Sequence, residues 1–201
     1  LTVDSIDSEG KKSDRLEAWP TTALKDFSVD ELMAEFDSLL PVRRINAQDE
    51  LVRRGSGVQR QLVARLTDDQ QRDGKLTENQ ETWTVWALGR MPSTRSLAGF
   101  LASTLRADSK ASLNMQIQVV RVFAHRAKQL GQTERLMETL RVALPHSQPR
   151  VRFAAIQAVH EARQTALVPE LLEQLQRESD TTVFYAGWQA LRALRSTNEL
   201  R

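Results

Sequence analysis

Apolar residues recur along this 201-residue chain at intervals of 30 to 39 residues, which is the spacing of a repeat protein. One column consists of Leu32, Leu62, Leu101, Leu136 and Leu171. A second column lies four residues further on and consists of Phe36, Leu66, Leu105, Leu140 and Leu175. Positions four residues apart share one face of an α-helix. Each repeat therefore predicts a helix with the same buried face.

A second helix is predicted in every repeat by a matching pair of columns. Its large apolar positions are Leu51, Leu88, Phe123, Val159 and Leu191. Four residues earlier, small or short side chains predominate, at Ala47, Thr84, Val119, Ala155 and Gly187. Small residues allow neighbouring helices to approach closely, as stacking requires. The columns predict an all-α fold, a right-handed α-α superhelix of about five antiparallel helix pairs.

Local signals set the predicted boundaries. Residues 1–27 read as a polar linker, the exit from a preceding domain, and residues 28–201 as the repeat domain. Ser28 and Glu31 form a capping-box pattern, and Gly55 is a helix stop. Leu39 and Leu40 are assigned to the buried face of the first helix, and residues 68–75 to an exposed loop. The five hairpins are predicted at about 28–55, 57–91, 95–127, 133–163 and 167–195.

Composition excludes several classes of protein. Cysteine is absent, which rules out disulfides and cysteine-based metal sites, and the net charge of +2 does not require a nucleic-acid partner. No apolar run is long enough to predict a transmembrane segment, and no signal peptide is recognisable. The chain begins with Leu1 and not with Met, so we expect a segment of a longer protein.

No motif points to catalysis. His125, His146 and His160 lack the spacing of metal ligands, and the sequence contains no phosphate-binding loop or nucleophile elbow. We therefore predict no catalytic residue, no cofactor and no metal site, and a segment that is not itself an enzyme.

Two residue sets are candidates for binding a partner. Arginines recur near the ends of the second helices, where they either complement the helix dipole or form a basic ridge for an acidic protein or a phosphate backbone. Tryptophans either fill the core or supply an aromatic contact surface. The arginines are Arg54, Arg90, Arg126, Arg163 and Arg195, and the tryptophans are Trp83, Trp86 and Trp188.

The segment from Arg150 to Val159, in which a Val-Arg pair precedes spaced alanines, resembles the second helix of a HEAT repeat. The resemblance extends over about 170 residues and implies an armadillo-like α-solenoid. The runs 45–55 and 84–89 are also similar to the HEAT region of large exported bacterial proteins named membrane-bound dehydrogenases. In those proteins a β-propeller precedes the HEAT region and a cytochrome c module often follows it.

These resemblances imply a protein-interaction scaffold or inter-domain spacer that contacts flanking domains of its own parent chain. The compartment would be the bacterial periplasm or cell envelope under the second resemblance, and the cytoplasm otherwise. Two alternatives remain open at this point. One is a nucleic-acid-binding HEAT-like protein related to the alkylpurine DNA glycosylases. The other is a HEAT-type lyase or chaperone for a cofactor.

Overall fold

The computed structural model describes residues 23–71, 76–92, 95–106, 109–130 and 133–194, and within these ranges all regular structure is helical. The all-α prediction is thereby confirmed. None of the described helices combines the length and apolarity needed to cross a membrane. The α-helices are α1 (Val29–Ala34), α2 (Pro41–Arg54), α3 (Ser56–Gln71), α4 (Glu78–Arg90), α5 (Arg95–Thr104), α6 (Leu113–Leu130), α7 (Thr133–Ala143), α8 (Pro149–Glu161), α9 (Val168–Gln176) and α10 (Thr181–Leu194).

Short 3₁₀ turns span Leu24–Asp26, Glu35–Asp37 and Thr165–Leu167. The first of these lies within the stretch predicted as a linker, of which residues 1–22 lie outside the described ranges.

The predicted loop at 68–75 is wrong at its beginning, because α3 continues to Gln71, while 72–75 lie outside the described residues. The polar run begins on the last turn of α3 because Asp and Gln lower helix propensity only slightly and do not end a helix by themselves.

Local chemistry explains where the first hairpin begins and ends. The Ser28 hydroxyl accepts a hydrogen bond from the Glu31 amide at 3.2 Å, and the Glu31 carboxylate accepts one from the Ser28 amide at 2.6 Å. Pro41 occupies the first turn of α2, where its missing N–H costs no hydrogen bond. Gly55 ends α2 with a φ of 60°, a conformation that glycine adopts without steric cost.

The second helix of each pair packs against the second helix of the next pair, giving the order α2, α4, α6, α8, α10. The small-residue column of these helices is buried throughout. At Gly187 of α10, an added Cβ would lie 2.5 Å from Cδ2 of Leu175, which belongs to α9 of the same pair. The column therefore sets how closely the helices approach one another.

The leucine columns form the core. Every member of the two first-helix columns whose side chain is described is buried, and Leu136 is the one member outside that description. Leu39 and Leu40 were expected on the same face but are 69% and 39% exposed, so that assignment was wrong. The reason is that α1 ends at Ala34 and a 3₁₀ turn follows, which breaks the period of 3.6 before these leucines are reached.

A buried ion pair fastens the loop before α10 to α8. Arg152 Nε and Nη2 donate to the two carboxylate oxygens of Glu178 at 2.7 and 2.5 Å, and its Nη1 donates to the carbonyls of His146 and Ser147. Gln174 also donates to Glu178, whose side chain is fully buried. Hydrogen bonds from Arg152 lower the pKa of Glu178 to about 2.

Truncation of Leu140 tests the assigned core. Leu140 of α7 and Val159 of α8 are fully buried on the two helices of the fourth pair. We expect Leu140→Ala to lower the free energy of unfolding by about 2–5 kcal/mol, because it removes buried methyl groups and leaves a cavity. Val142→Ala on the same helix, where the side chain is 48% exposed, should change it by less than about 0.5 kcal/mol. Equal effects in urea melts would contradict the assigned helix faces.

Glu178→Gln tests the buried pair. Loss of the carboxylate leaves the Arg152 charge without its partner and should cost about 3–5 kcal/mol at neutral pH. The folded pKa of Glu178 lies below its ordinary value of 4.5, so folding is less favourable wherever that group must be protonated. The difference in free energy of unfolding between the wild type and Glu178→Gln should therefore shrink as the pH falls from about 4.5 towards 2.

The exposed pair of Glu173 with Arg177 offers a matched control, since Glu173→Gln removes a carboxylate from the surface of α9. That substitution should change the free energy of unfolding by less than about 1 kcal/mol. A difference between wild type and Glu178→Gln that is independent of pH in denaturant melts would show that the carboxylate charge does not stabilise this joint.

Candidate functional site

The arginines predicted to form a basic ridge are not equivalent in the structure. Arg54 bonds Glu50 at 2.8 Å and also donates to the carbonyls of Leu24 and Lys25, which attaches the first 3₁₀ turn to α2. Arg90 lies 2.7 Å from the Asp49 carboxylate and donates to the Gln48 side chain at 3.0 Å. Both side chains therefore join parts of the fold, which reduces their availability to a partner.

The other three arginines of the set are differently placed. Arg163 follows α8, is exposed, and has a φ of 49°. The Arg126 side chain and all of Arg195 lie outside the described part of the chain, so a ridge that includes these two stays a prediction.

The predicted tryptophans also lie in different surroundings and do not form one surface. Trp83 stacks on Phe36 with ring centroids 5.9 Å apart, and the Arg44 guanidinium lies 5.9 Å from its ring. It fills the joint between the first two hairpins. Trp188 is on α10, which is separated from α4 by two further second helices, so it does not form a platform with the others.

Trp86 lies at the edge of a groove. Its indole N–H donates to Gln118 of α6 at 3.0 Å, and its ring meets His125 edge-on at 5.9 Å. The groove, here called the alanine groove, has a volume of about 360 Å³ and crosses α4, α6 and α8. Its apolar floor is formed by Ala124, Ala154, Ala158 and Ala162, and its polar residues besides His125 are Arg121, Gln157 and Glu161.

A second groove of about 370 Å³ lies across α6, α8 and the start of α10. We call it the phenylalanine groove, because Phe153 supplies its aromatic side chain beside Ile117. Its charged residues are Arg121, Arg150 and Asp180. Arg121 lines both grooves and is therefore the point where they meet.

Arg121 is exposed and has no hydrogen-bond or ion-pair partner among the described residues. The same holds for Gln157 and Glu161 in the alanine groove. These side chains place hydrogen-bond donors and acceptors beside an apolar floor. Within the described residues, no three His, Asp or Glu side chains form a group that could hold a metal ion.

Sequence reasoning found Trp86 but missed Arg121 and Gln157. All three occupy the same place in their repeats, two residues after the small-residue column. Their shared position in the repeat could have identified them. A residue at this position lies next to the buried joint but faces outward, so it lines the surface between stacked helices. The arginine itself carried no special signal in a chain with 28 lysines and arginines.

Arg163→Gly tests whether the side chain of Arg163, the last residue of the fourth hairpin, stabilises the fold or whether its left-handed backbone conformation destabilises it. A non-glycine residue in the left-handed region costs about 1–2 kcal/mol, and glycine removes that cost. We expect Arg163→Gly to raise the free energy of unfolding by about 1 kcal/mol in urea melts. A fall would show that the arginine side chain stabilises the fold.

No protein-family model matches this chain, and neither the curated proteins nor the solved structures contain a match. The interpretation of the two grooves therefore depends on the residues that line them. Their shared arginine, apolar floor and mixed charges are the observations that a proposed function must explain.

Proposed function

We propose that this chain is a protein-binding scaffold, a superhelical array of HEAT-like helix pairs, and that it catalyses nothing itself. The observation that carries the proposal is the position of Arg121, an exposed guanidinium without a partner among the described residues, where the two grooves meet. An extended segment of a partner protein would lie along both grooves. A carboxylate of that segment would bind Arg121.

The repetition of the joints supports an array. Each described joint is built from two successive second helices, and one hairpin alone could not cover its apolar faces. Solenoids of this kind place partners along extended surfaces made by equivalent positions of successive repeats. Trp86, Arg121 and Gln157 are such positions.

The chemistry of the grooves favours a peptide over a nucleic acid. Glu161 lies in the alanine groove and Asp180 in the phenylalanine groove, so each groove holds a carboxylate as well as an arginine. A phosphate backbone would be repelled by these carboxylates, whereas a protein segment offers both charges and amides. Apolar side chains of such a segment would contact the alanine floor, Trp86 and Phe153.

The role as an inter-domain spacer in a larger redox protein stays a prediction from the resemblance to the membrane-bound dehydrogenases. If that resemblance holds, the bound segment belongs to a flanking module of the parent chain. The grooves would then fix the orientation of that module relative to the helical array.

Selection from a random displayed peptide library tests the proposal with the wild-type chain as bait. The selected peptides should carry a carboxylate next to apolar or aromatic residues. Arg121→Glu should weaken their binding by about tenfold or more, because it removes a charge-assisted hydrogen bond. Arg60→Glu changes an exposed arginine of α3, outside both grooves, and should leave the affinity unchanged.

Other outcomes point elsewhere. If neutralising Arg90, Arg126 and Arg163 weakens binding and Arg121→Glu does not, the arginine ridge is the contact surface. Salt-dependent binding of a labelled DNA duplex, without peptide binding, would favour the nucleic-acid alternative. Turnover of a substrate by the isolated chain would contradict the non-catalytic assignment.

A further inference from the structure

The last helix carries a row of exposed aromatic side chains. Phe184, Tyr185 and Trp188 of α10 are 43%, 61% and 45% exposed, and the Phe184 and Tyr185 rings meet edge-on with centroids 6.4 Å apart. Large aromatic side chains concentrated on one helix face mark interaction surfaces. Neither groove includes any of these three residues.

The residues of the α10 face can be compared with the residues at equivalent positions of the four preceding second helices. Trp188 lies one residue after the small-residue column, and the equivalent residues of the four preceding second helices are at most 8% exposed. They are covered because the next second helix packs over them. The face of α10 thus repeats the internal joint and lacks the helix that would cover it among the described residues. The equivalent residues are Gln48, Val85, Val120 and Ile156.

We propose that the α10 face binds a second copy of this chain, with the two α10 helices antiparallel about a two-fold axis near residue 186. In that arrangement Phe184 of each copy lies opposite Trp188 of the other. Asp180 of each copy lies opposite Arg192 of the other, because these two residues are also equally far from residue 186. The contact therefore joins two aromatic pairs and two pairs of opposite charge.

The charged groups are available for this pairing. Arg192 is exposed and has no hydrogen-bond or ion-pair partner within the described residues. One carboxylate oxygen of Asp180 accepts the Val183 amide at 3.0 Å and caps α10, which leaves its second oxygen for a guanidinium. Opposite charges at the two ends of one helix face favour an antiparallel copy of the same helix.

In the alternative, head-to-tail arrangement, the α10 face of one copy would pack against α2 of the next copy. The residues of α2 disfavour this arrangement. There α2 presents Asn46 and Glu50 at the positions that would meet the α10 face. The Glu50 carboxylate is held by Arg53 and Arg54 at 2.7 and 2.8 Å. An aromatic face laid over this cluster would remove water from the Arg53 side chain, which is 65% exposed, without supplying a new partner. The assembly is thus a closed dimer and not a filament.

Sedimentation of the whole chain over the micromolar to sub-millimolar range tests the interface. One helix from each copy makes a small contact, so the dimer should dissociate reversibly on dilution. Trp188→Glu should weaken it by roughly thirtyfold or more, the loss typical of a central tryptophan. Val142→Glu changes an equally exposed apolar residue of α7 and should leave the dimer unchanged.

Cross-linking tests the two-fold arrangement independently. Because the chain has no cysteine, Tyr185→Cys places a single thiol near the proposed axis and should give a covalent dimer with a short bismaleimide. Val142→Cys should not cross-link under the same conditions. Arg192→Asp should weaken the dimer in sedimentation, because the introduced carboxylate of one copy would then face Asp180 of the other.

The proposal is overturned if the wild-type chain stays monomeric over the whole range, or if Trp188→Glu leaves the dimer intact while circular dichroism shows an unchanged helical fold. Absence of a Tyr185→Cys cross-link in a dimer that Trp188→Glu disrupts would overturn the antiparallel arrangement. The proposed interface shares only Asp180 with the phenylalanine groove, and the Trp188→Glu and Tyr185→Cys measurements change no groove residue, so the two proposals fail separately.

Discussion

Close packing between successive second helices is the contact on which the rest of this structure depends. It requires small residues on these helices: a Cβ added at Gly89 of α4 would lie 2.7 Å from Cγ1 of Val122 on α6. The small-residue column meets the same need within a pair, where Gly187 of α10 faces Leu175 of α9. The leucine columns of the first helices can be covered only when these helices are stacked, because an isolated hairpin leaves one apolar face in water. A large side chain in the small-residue column would separate two helices and expose the core between them.

Polar side chains then make three of the four joints specific. Gln48 donates to the Trp83 carbonyl at the first joint, and Trp86 donates to Gln118 at the next. The last joint is closed by Arg152 and Glu178. Apolar packing alone tolerates several registers of one helix on another, whereas a buried donor needs its acceptor at one position. These bonds therefore fix the alignment of neighbouring repeats.

The same stacking explains why the residues that line the grooves can differ without harm to the core. The register two residues after the small-residue column faces outward beside the joint, and it holds side chains as different as Trp86, Arg121 and Gln157. Changes at Arg121 or Gln157, which are exposed, alter the groove chemistry and leave the buried columns intact, whereas Trp86 also bonds Gln118 across a joint. The described grooves thus follow from the architecture, while their chemistry depends on a few side chains that line them.

Helix boundaries and buried faces were decided by the sequence itself, because caps, glycine stops and a 3.6-residue period act within a few residues along the chain. Where that period failed, at Leu39, a 3₁₀ turn had ended the helix. Only the tertiary structure decided which arginines are occupied, because Arg90 of α4 meets Asp49 of α2, a residue of the preceding hairpin. Arg121 is left exposed between grooves for the same physical reason: no carboxylate of a neighbouring repeat pairs with it among the described residues.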